Sequence, residues 1–214
     1  MGNEVSANFE LFSNAADNNK QVIADELRRL LFSGARVLEI GSGSGQHALH
    51  FVSQLKKVSW QPADMDPYFG ALERNLRGIS LSGIEKPIYL DVAQFDIAGS
   101  YDAVFCANVM HIMPADLIPN MMAGVGSLLG NGGLFILYGP YKYEGAFTTG
   151  SNEKFDGWLK LRQPLSGVRD IEVVQAEAKT HYLELVEDIR MPANNQLLVF
   201  GKSSGNHEGR GLGF

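Results

Sequence analysis

Short apolar runs and stretches with helical apolar spacing alternate along the first two thirds of this chain, and that alternation constrains the fold more than any other feature. Runs at 36–40, 58–63, 87–90, 103–107 and 134–138 are each four to six residues long, the length of buried strands. Between them Ala48, Phe51, Val52 and Leu55 share one helical face, as do Phe69, Leu72, Leu76 and Ile79. A further helix is expected over 116–129, with Leu117, Met121, Val125 and Leu128 inward, and a leading helix carries Ile23, Leu27, Leu30 and Leu31 before Gly34 stops it. A period that switches each time calls for an α/β fold, a Rossmann-like sheet of mostly parallel strands with crossover helices on both faces. After Gly139 the rhythm loosens into an aromatic, glycine-bearing loop. Helical stretches near 155–161 and 171–178 follow, then two strand-like runs, 183–188 and 196–200, expected as a hairpin joined through Pro192-Ala193-Asn194-Asn195.

The chain has 214 residues, enough for one α/β domain, expected over residues 1–202, with 203–214 read as a flexible Gly/Ser-rich tail. A formal charge of −6 argues against a polyanionic partner such as nucleic acid and favours small substrates. With no basic-then-apolar leader and no run of about 18 apolar residues, the expectation is a soluble, cytoplasmic protein. The single cysteine, Cys106, lies inside an apolar run and reads as a small buried residue. His47 and His50 lie three apart on one helix without a carboxylate cluster, so packing is favoured over metal ligation and no metal is expected.

The chemistry concentrates in residues 37–45, Val-Leu-Glu-Ile-Gly-Ser-Gly-Ser-Gly. Glycines at 41, 43 and 45 permit the positive φ of a tight turn and the close approach of a flat ligand to bare backbone. The dinucleotide fingerprint G-x-G-x-x-G is not met, because Gln46 stands where its third glycine would fall. Asp64 ends the next run, 58–63, 23 residues beyond Gly41, near the offset of a ribose-binding acid. Helix capping is the competing role for the acids before Pro67 and is expected of Asp66. In open α/β sheets ligands gather beyond the carboxyl ends of the strands, where Gly41, Asp64, Asp91, Asn108 and Tyr138 would project.

The spacing Glu39-x-Gly41-x-Gly43-x-Gly45 resembles the first motif of class I S-adenosylmethionine (SAM) methyltransferases. The runs VLEIGSGSGQHALHF, WQPADMDP, FCANVMHI, LYGPYK, SNEKFDGWLK, GVRDIE and MPANNQLLVF are similar to those of the DUF938 or methyltransferase-like 26 family of such enzymes, over roughly residues 9–202. The resemblance implies a seven-stranded sheet in the order 3-2-1-4-5-7-6 with an antiparallel last strand. It also implies SAM as cofactor: Glu39, Gly41, Ser42, Gly43 and Gly45 in the loop, Asp64 with Met65 at the ribose, Asp91 with Val92 at adenine, and Asn108 near the methionyl part. The chain departs from the family at its first helix, where Asn18-Asn19-Lys20 replaces an Arg-Asn-Lys start, so no role of that arginine carries over.

Around the methyl group the candidates are His111, as substrate contact or base, then Tyr138, Tyr141, Lys142, Asn194 and Asn195. Aromatic packing competes for the tyrosines and turn formation for the asparagines. Asp156 and Arg169 are expected to form a structural ion pair. The reading favoured is methyl transfer to a small-molecule acceptor. The alternatives are a SAM-binding sensor or scaffold without catalysis, and a nicotinamide-dependent oxidoreductase, which the glycine spacing disfavours.

Overall fold

The computed structural model describes residues 8–204, except Lys56. Its elements follow the order helix α1 (Asn14–Leu30), β1 (Arg36–Ile40), α2 (Gln46–Gln54), β2 (Ser59–Asp64), α3 (Phe69–Leu76), β3 (Ile88–Tyr89), β4 (Tyr101–Ala107), α4 (Ile118–Leu128) and β5 (Leu129–Gly139). Short strands β6 (Tyr141–Tyr143) and β7 (Ala146–Phe147) come next, then α5 (Gly150–Arg162), β8 (Arg169–Asp170), α6 (Ile171–Thr180), β9 (Leu183–Met191) and β10 (Asn195–Lys202).

The main sheet has seven strands in the order β3-β2-β1-β4-β5-β10-β9. Counting only its own strands, this is the expected 3-2-1-4-5-7-6. Strand β10 is antiparallel to both β5 and β9, and the pairs from β3 to β5 are parallel. Alternate side chains divide two cores between its faces. Leu38, Val104, Cys106, Phe135, Leu137, Leu198 and Phe200 pack with Met121, Met122 and Val125 of α4 and Val174 of α6. Val37, Ala103, Phe105, Ile136, Leu197 and Val199 pack with Ile23 and Leu27 of α1 and Ala48, Phe51 and Val52 of α2. Both faces are therefore covered, which is why the strands read as continuous apolar runs.

Three local expectations change. The loop after Gly139 contains a second, three-stranded sheet in the order β7-β6-β8, whose β6 and β8 pair in parallel at Tyr141↔Arg169 and Lys142↔Asp170. Asp66 caps nothing: α3 begins at Phe69, and its first turn is satisfied by the Met65 carbonyl, which accepts from the Tyr68 and Phe69 amides at 2.9 and 3.0 Å. Asp156 and Arg169 do not pair. Asp156 accepts from the Val168 amide at 2.8 Å and pairs with Lys160 at 2.6 Å, while the Arg169 guanidinium donates to the carbonyls of Met110, Met113 and Leu165. The tail expected at 203–214 lies, beyond Ser204, outside the described residues. Among the described residues no helix is long and apolar enough to cross a membrane.

Candidate functional site

The chain leaves β1 at Ile40 and turns through three left-handed glycines, with φ of 73° at Gly41, 57° at Gly43 and 84° at Gly45. Positive φ favours glycine at all three, and close packing requires it at two of them. A Cβ on Gly41 would sit 2.2 Å from Cγ2 of Val109, and one on Gly45 3.1 Å from Leu72 and Leu76. A Cβ on Gly43 would meet nothing within 4 Å. The outer two glycines thus let the loop pack against the β4 loop and α3, and Gly43 alone lies against open space. The loop is pinned to β2: Gly41 and Ser42 amides donate to the Ala63 carbonyl at 2.9 and 3.0 Å, and the Gly43 amide donates to Asp64 Oδ2 at 2.6 Å.

Glu39 stands behind this loop, 1% exposed. Its Oε2 accepts from Trp60 Nε1 at 3.1 Å and from the Ser42 hydroxyl at 3.0 Å, and Ser42 Oγ in turn accepts from the Ala63 amide at 3.0 Å. Burial raises the Glu39 carboxyl to about 7 against those two hydrogen bonds. Its other oxygen lies 3.8 Å from Nδ1 of His47. Burial lowers His47 to about 3, and its Nε2 lies 2.7 Å from Asn19 Oδ1, with the ring stacked 5.1 Å from that of Phe51. Glu39 and Ser42 therefore brace the loop from behind, and Gly41, Gly43 and Gly45 form its front.

Asp64 projects at the end of β2. Oδ1 accepts from the Met65 amide at 2.8 Å, and burial raises its pKa against the bonds from Gly43 and Met65. Both oxygens keep acceptor capacity for a vicinal diol. Asp91 lies beside it, since the Leu90 amide donates to the Asp64 carbonyl at 2.9 Å; its Oδ1 caps the short 3-10 helix Val92–Gln94 through the Ala93 amide at 2.8 Å. Met65 is exposed and Val92 buried. Asn108, with φ of 59°, ends β4 and donates its amide to the Tyr138 carbonyl at 2.8 Å. The expected cofactor residues thus share one strand-end edge.

The acceptor candidates separate. Tyr138 ends β5 and is buried; its hydroxyl accepts from Asn195 Nδ2 at 3.1 Å, and burial raises its pKa against hydrogen bonds with the Asn19 and Asn195 amides. His111 is buried against Phe155, ring centroids 5.2 Å apart, with Nδ1 facing Gly139, and burial lowers it to about 4 with help from the Arg169 charge. Tyr141 does not wall a crevice. It is a core residue, 1% exposed, drawn inward because β6 docks on β8, and its hydroxyl has no partner among the described residues. Lys142 points its ammonium over the Phe147 ring, 5.5 Å from the centroid.

Asn194 and Asn195 serve the hairpin. Asn194, with φ of 59°, lends its carbonyl to Asn152 Nδ2 at 3.0 Å and its amide to the Ser151 hydroxyl at 3.4 Å. Beyond its bond to Tyr138, Asn195 Nδ2 donates to the Pro192 carbonyl at 3.2 Å.

A cavity of about 670 Å3 opens beside this edge, between the β9–β10 hairpin and the small sheet, with Asn194 and Asn195 in its lining. Its remaining walls include Tyr143, Thr148, Thr149, Asp188, Arg190 and Gln196. Sequence reasoning missed these. Gln196 carries the one available signal, a polar residue at the head of an apolar strand, and Tyr143 takes the place expected of Tyr141, two positions away on the same face of β6.

Similar folds occur among solved structures. An O-methyltransferase family protein from Burkholderia thailandensis superposes with a TM-score of 0.74 at 16% identity, over 90% of this chain and 58% of that one. Human N-acetylserotonin methyltransferase, solved with SAM, gives 0.73 at 12%, over 89% and 53%. PigF, solved with S-adenosylhomocysteine (SAH), gives 0.71 at 14%, over 84% and 54%. The chain thus spans little more than half the length of these proteins, and it has their Rossmann-like methyltransferase fold. The family described as protein of unknown function (DUF938) matches residues 10–202, and the chain belongs to that family.

Proposed function

We propose that this protein is a SAM-dependent methyltransferase, of the methyltransferase-like 26 type, acting on a small-molecule acceptor. The observation that carries the reading is the glycine turn locked onto Asp64, with open space only in front of Gly43. That arrangement suits a ligand that lays a flat, polar body along backbone and presents a diol to a carboxylate. The structures of similar fold solved with SAM and with SAH support the same cofactor.

When bound, SAM would supply an electrophilic methyl group on a sulfonium, open to displacement by an acceptor lone pair with the C–S electron pair left on sulfur. Alignment then does most of the work, and positioning of this kind is worth about 7 to 11 kcal/mol. In this reading Asp64 holds the ribose, Asp91 and Val92 flank adenine, and Asn108 meets the methionyl part. Glu39 and Ser42 shape the loop without touching the ligand. His111, lowered to about 4 by burial, is neutral at pH 7 and is a weak base; its role is to shape the acceptor side beside Gly139 and accept a proton only from an acidic acceptor.

Titration calorimetry with SAH and NADH tests the reading. Heat with SAH alone is expected. Silence from folded protein with SAH would reject it, and heat with NADH would favour the oxidoreductase alternative. A SAM-binding scaffold would bind SAH and turn nothing over.

A further inference from the structure

The cavity beside the candidate cofactor edge holds donors that meet no acceptor among the described residues. Gln196 is 6% exposed, and its Oε1 accepts from the Tyr141 amide at 3.2 Å. A backbone N–H can face only the carbonyl oxygen of a glutamine, so the Nε2 hydrogens are the ones left over, and among the described residues they meet no acceptor. Among the same residues no carboxylate lies within 4.0 Å of the Arg190 guanidinium, which lines the same cavity. Across from them Thr148 Oγ1 accepts from Asn152 Nδ2 at 2.9 Å, which leaves its hydroxyl hydrogen available. The one acid in the lining, Asp188, has Oδ2 turned to the Tyr143 hydroxyl at 2.7 Å, so this acid is engaged by a donor of its own. Tyr143 and Met191 supply apolar wall.

We propose that this cavity binds the oxyanion of a small organic acid, a carboxylate or phosphate on an apolar body, through Arg190 and Gln196. A guanidinium and a primary amide converging in a half-enclosed space make a charge-assisted receptor that a neutral isostere cannot satisfy. The site also has the right address. Gln196 pairs with Gly139, and the next residue along β5, Tyr138, accepts from the Asn108 amide. Two strand spacings therefore separate Asn108 from Gln196, about 10 Å. An acceptor reaching from the methyl-transfer point to this cavity carries its anionic group several ångströms from the atom that is methylated. That the bound acid is the methyl acceptor rests on the methyltransferase reading; the anion site itself does not.

The test uses the full chain with and without SAH, with benzoate as the probe and benzamide as its neutral counterpart. Side-chain amide resonances of Gln196 are followed by heteronuclear NMR, and SAH affinity is measured by calorimetry on the SAH-free protein. Benzoate is expected to shift the Gln196 resonances along a saturable curve, with benzamide at least tenfold weaker. Arg190→Gln is expected to weaken benzoate at least tenfold and leave SAH affinity unchanged, with Arg190→Lys in between. Equal binding of benzoate and benzamide, no saturable shift, or an undiminished benzoate affinity in Arg190→Gln would each overturn the proposal. Benzoate binding without SAH binding would sink the methyltransferase reading and leave the anion site standing; SAH binding without benzoate binding would do the reverse.

Discussion

Glu39 and His47 lie side by side behind the glycine loop, and burial moves their pKa values in opposite directions. Asn19 Oδ1 lies opposite Nε2 of His47, so the neutral ring presents its lone pair at Nδ1 toward Glu39 Oε1, 3.8 Å away. Burial raises Glu39 from 4.5 to about 7 and lowers His47 from 6.5 to about 3, so in mildly acidic solution the folded chain holds a protonated carboxyl beside a neutral imidazole. The two groups act on stability with opposite sign. Between 4.5 and about 7 the folded chain keeps a Glu39 proton that the unfolded chain has released, so this contribution falls as pH rises. Between about 3 and 6.5 the unfolded chain holds a His47 proton that the folded chain lacks, so this one grows as pH rises. Glu39→Gln keeps an acceptor for Trp60 and Ser42 and removes only the first. Its stability relative to the parent should therefore rise by roughly 3 kcal/mol across the Glu39 window, read by urea unfolding at several pH values. A pH-independent difference would mean that Glu39 is ionised throughout. On the front of the loop, Asp64→Ala should weaken SAH by about 1.5 to 3 kcal/mol, the scale of hydrogen bonds to a charged group. An unchanged affinity in calorimetry would move the ribose elsewhere.

The β9–β10 hairpin turns through two left-handed residues, Ala193 and Asn194, and is tied down by Asn152. Asn tolerates that conformation, and alanine does so at a cost of about 1 kcal/mol. Asn194→Ala should lower stability by about that amount and Asn194→Gly by less, both with unchanged SAH affinity; melting curves and calorimetry on the two variants check this. Loss of SAH binding in either would break the separation between cofactor edge and hairpin. The same hairpin shows what a sequence can and cannot reveal. Strands β1, β2, β4 and β5 and helices α1 and α2 were legible because burial on both faces writes itself as apolar runs and helical spacing. The glycine turn was legible because positive φ and close packing are demands of a few consecutive residues. The small sheet was not, since β7 and β8 have two residues each and two residues have no period. Tyr141 is buried by pairing with Arg169, and Arg169 finds carbonyls of Met110, Met113 and Leu165 in place of a carboxylate. Such partners are chosen by distant chain, and composition carries no trace of them. Strand order came from family resemblance, not from periodicity.

At the scale of the molecule, the candidate cofactor edge is held by both cores and by the segment before α1. Phe9 is buried with Leu49, Leu72 and Leu76, Asn75 Nδ2 bridges the carbonyls of Glu10 and Ser44 at 2.9 Å each, and the Ser13 amide donates to Gln46 Oε1 at 2.6 Å. A ligand on the ends of β1, β2 and β4 thus binds only the assembled fold and should stabilise the whole molecule against cooperative unfolding. At a hundred dissociation constants of SAH the linkage contribution is about 2.7 kcal/mol. For a chain of this size each kcal/mol raises Tm by roughly 2 to 4 °C, so a rise of about 5 to 11 °C is expected. NADH at the same concentration should leave Tm where it was. Asp64→Ala provides the internal control: a loss of about 1.5 to 3 kcal/mol in affinity lowers the same SAH concentration to between about 0.6 and 8 dissociation constants. The stabilisation remaining is then about 0.3 to 1.3 kcal/mol, a shift of at most about 5 °C. A full-sized SAH shift in Asp64→Ala would place the ligand away from β2, and a shift with NADH in place of SAH would give the glycine turn to a nicotinamide cofactor.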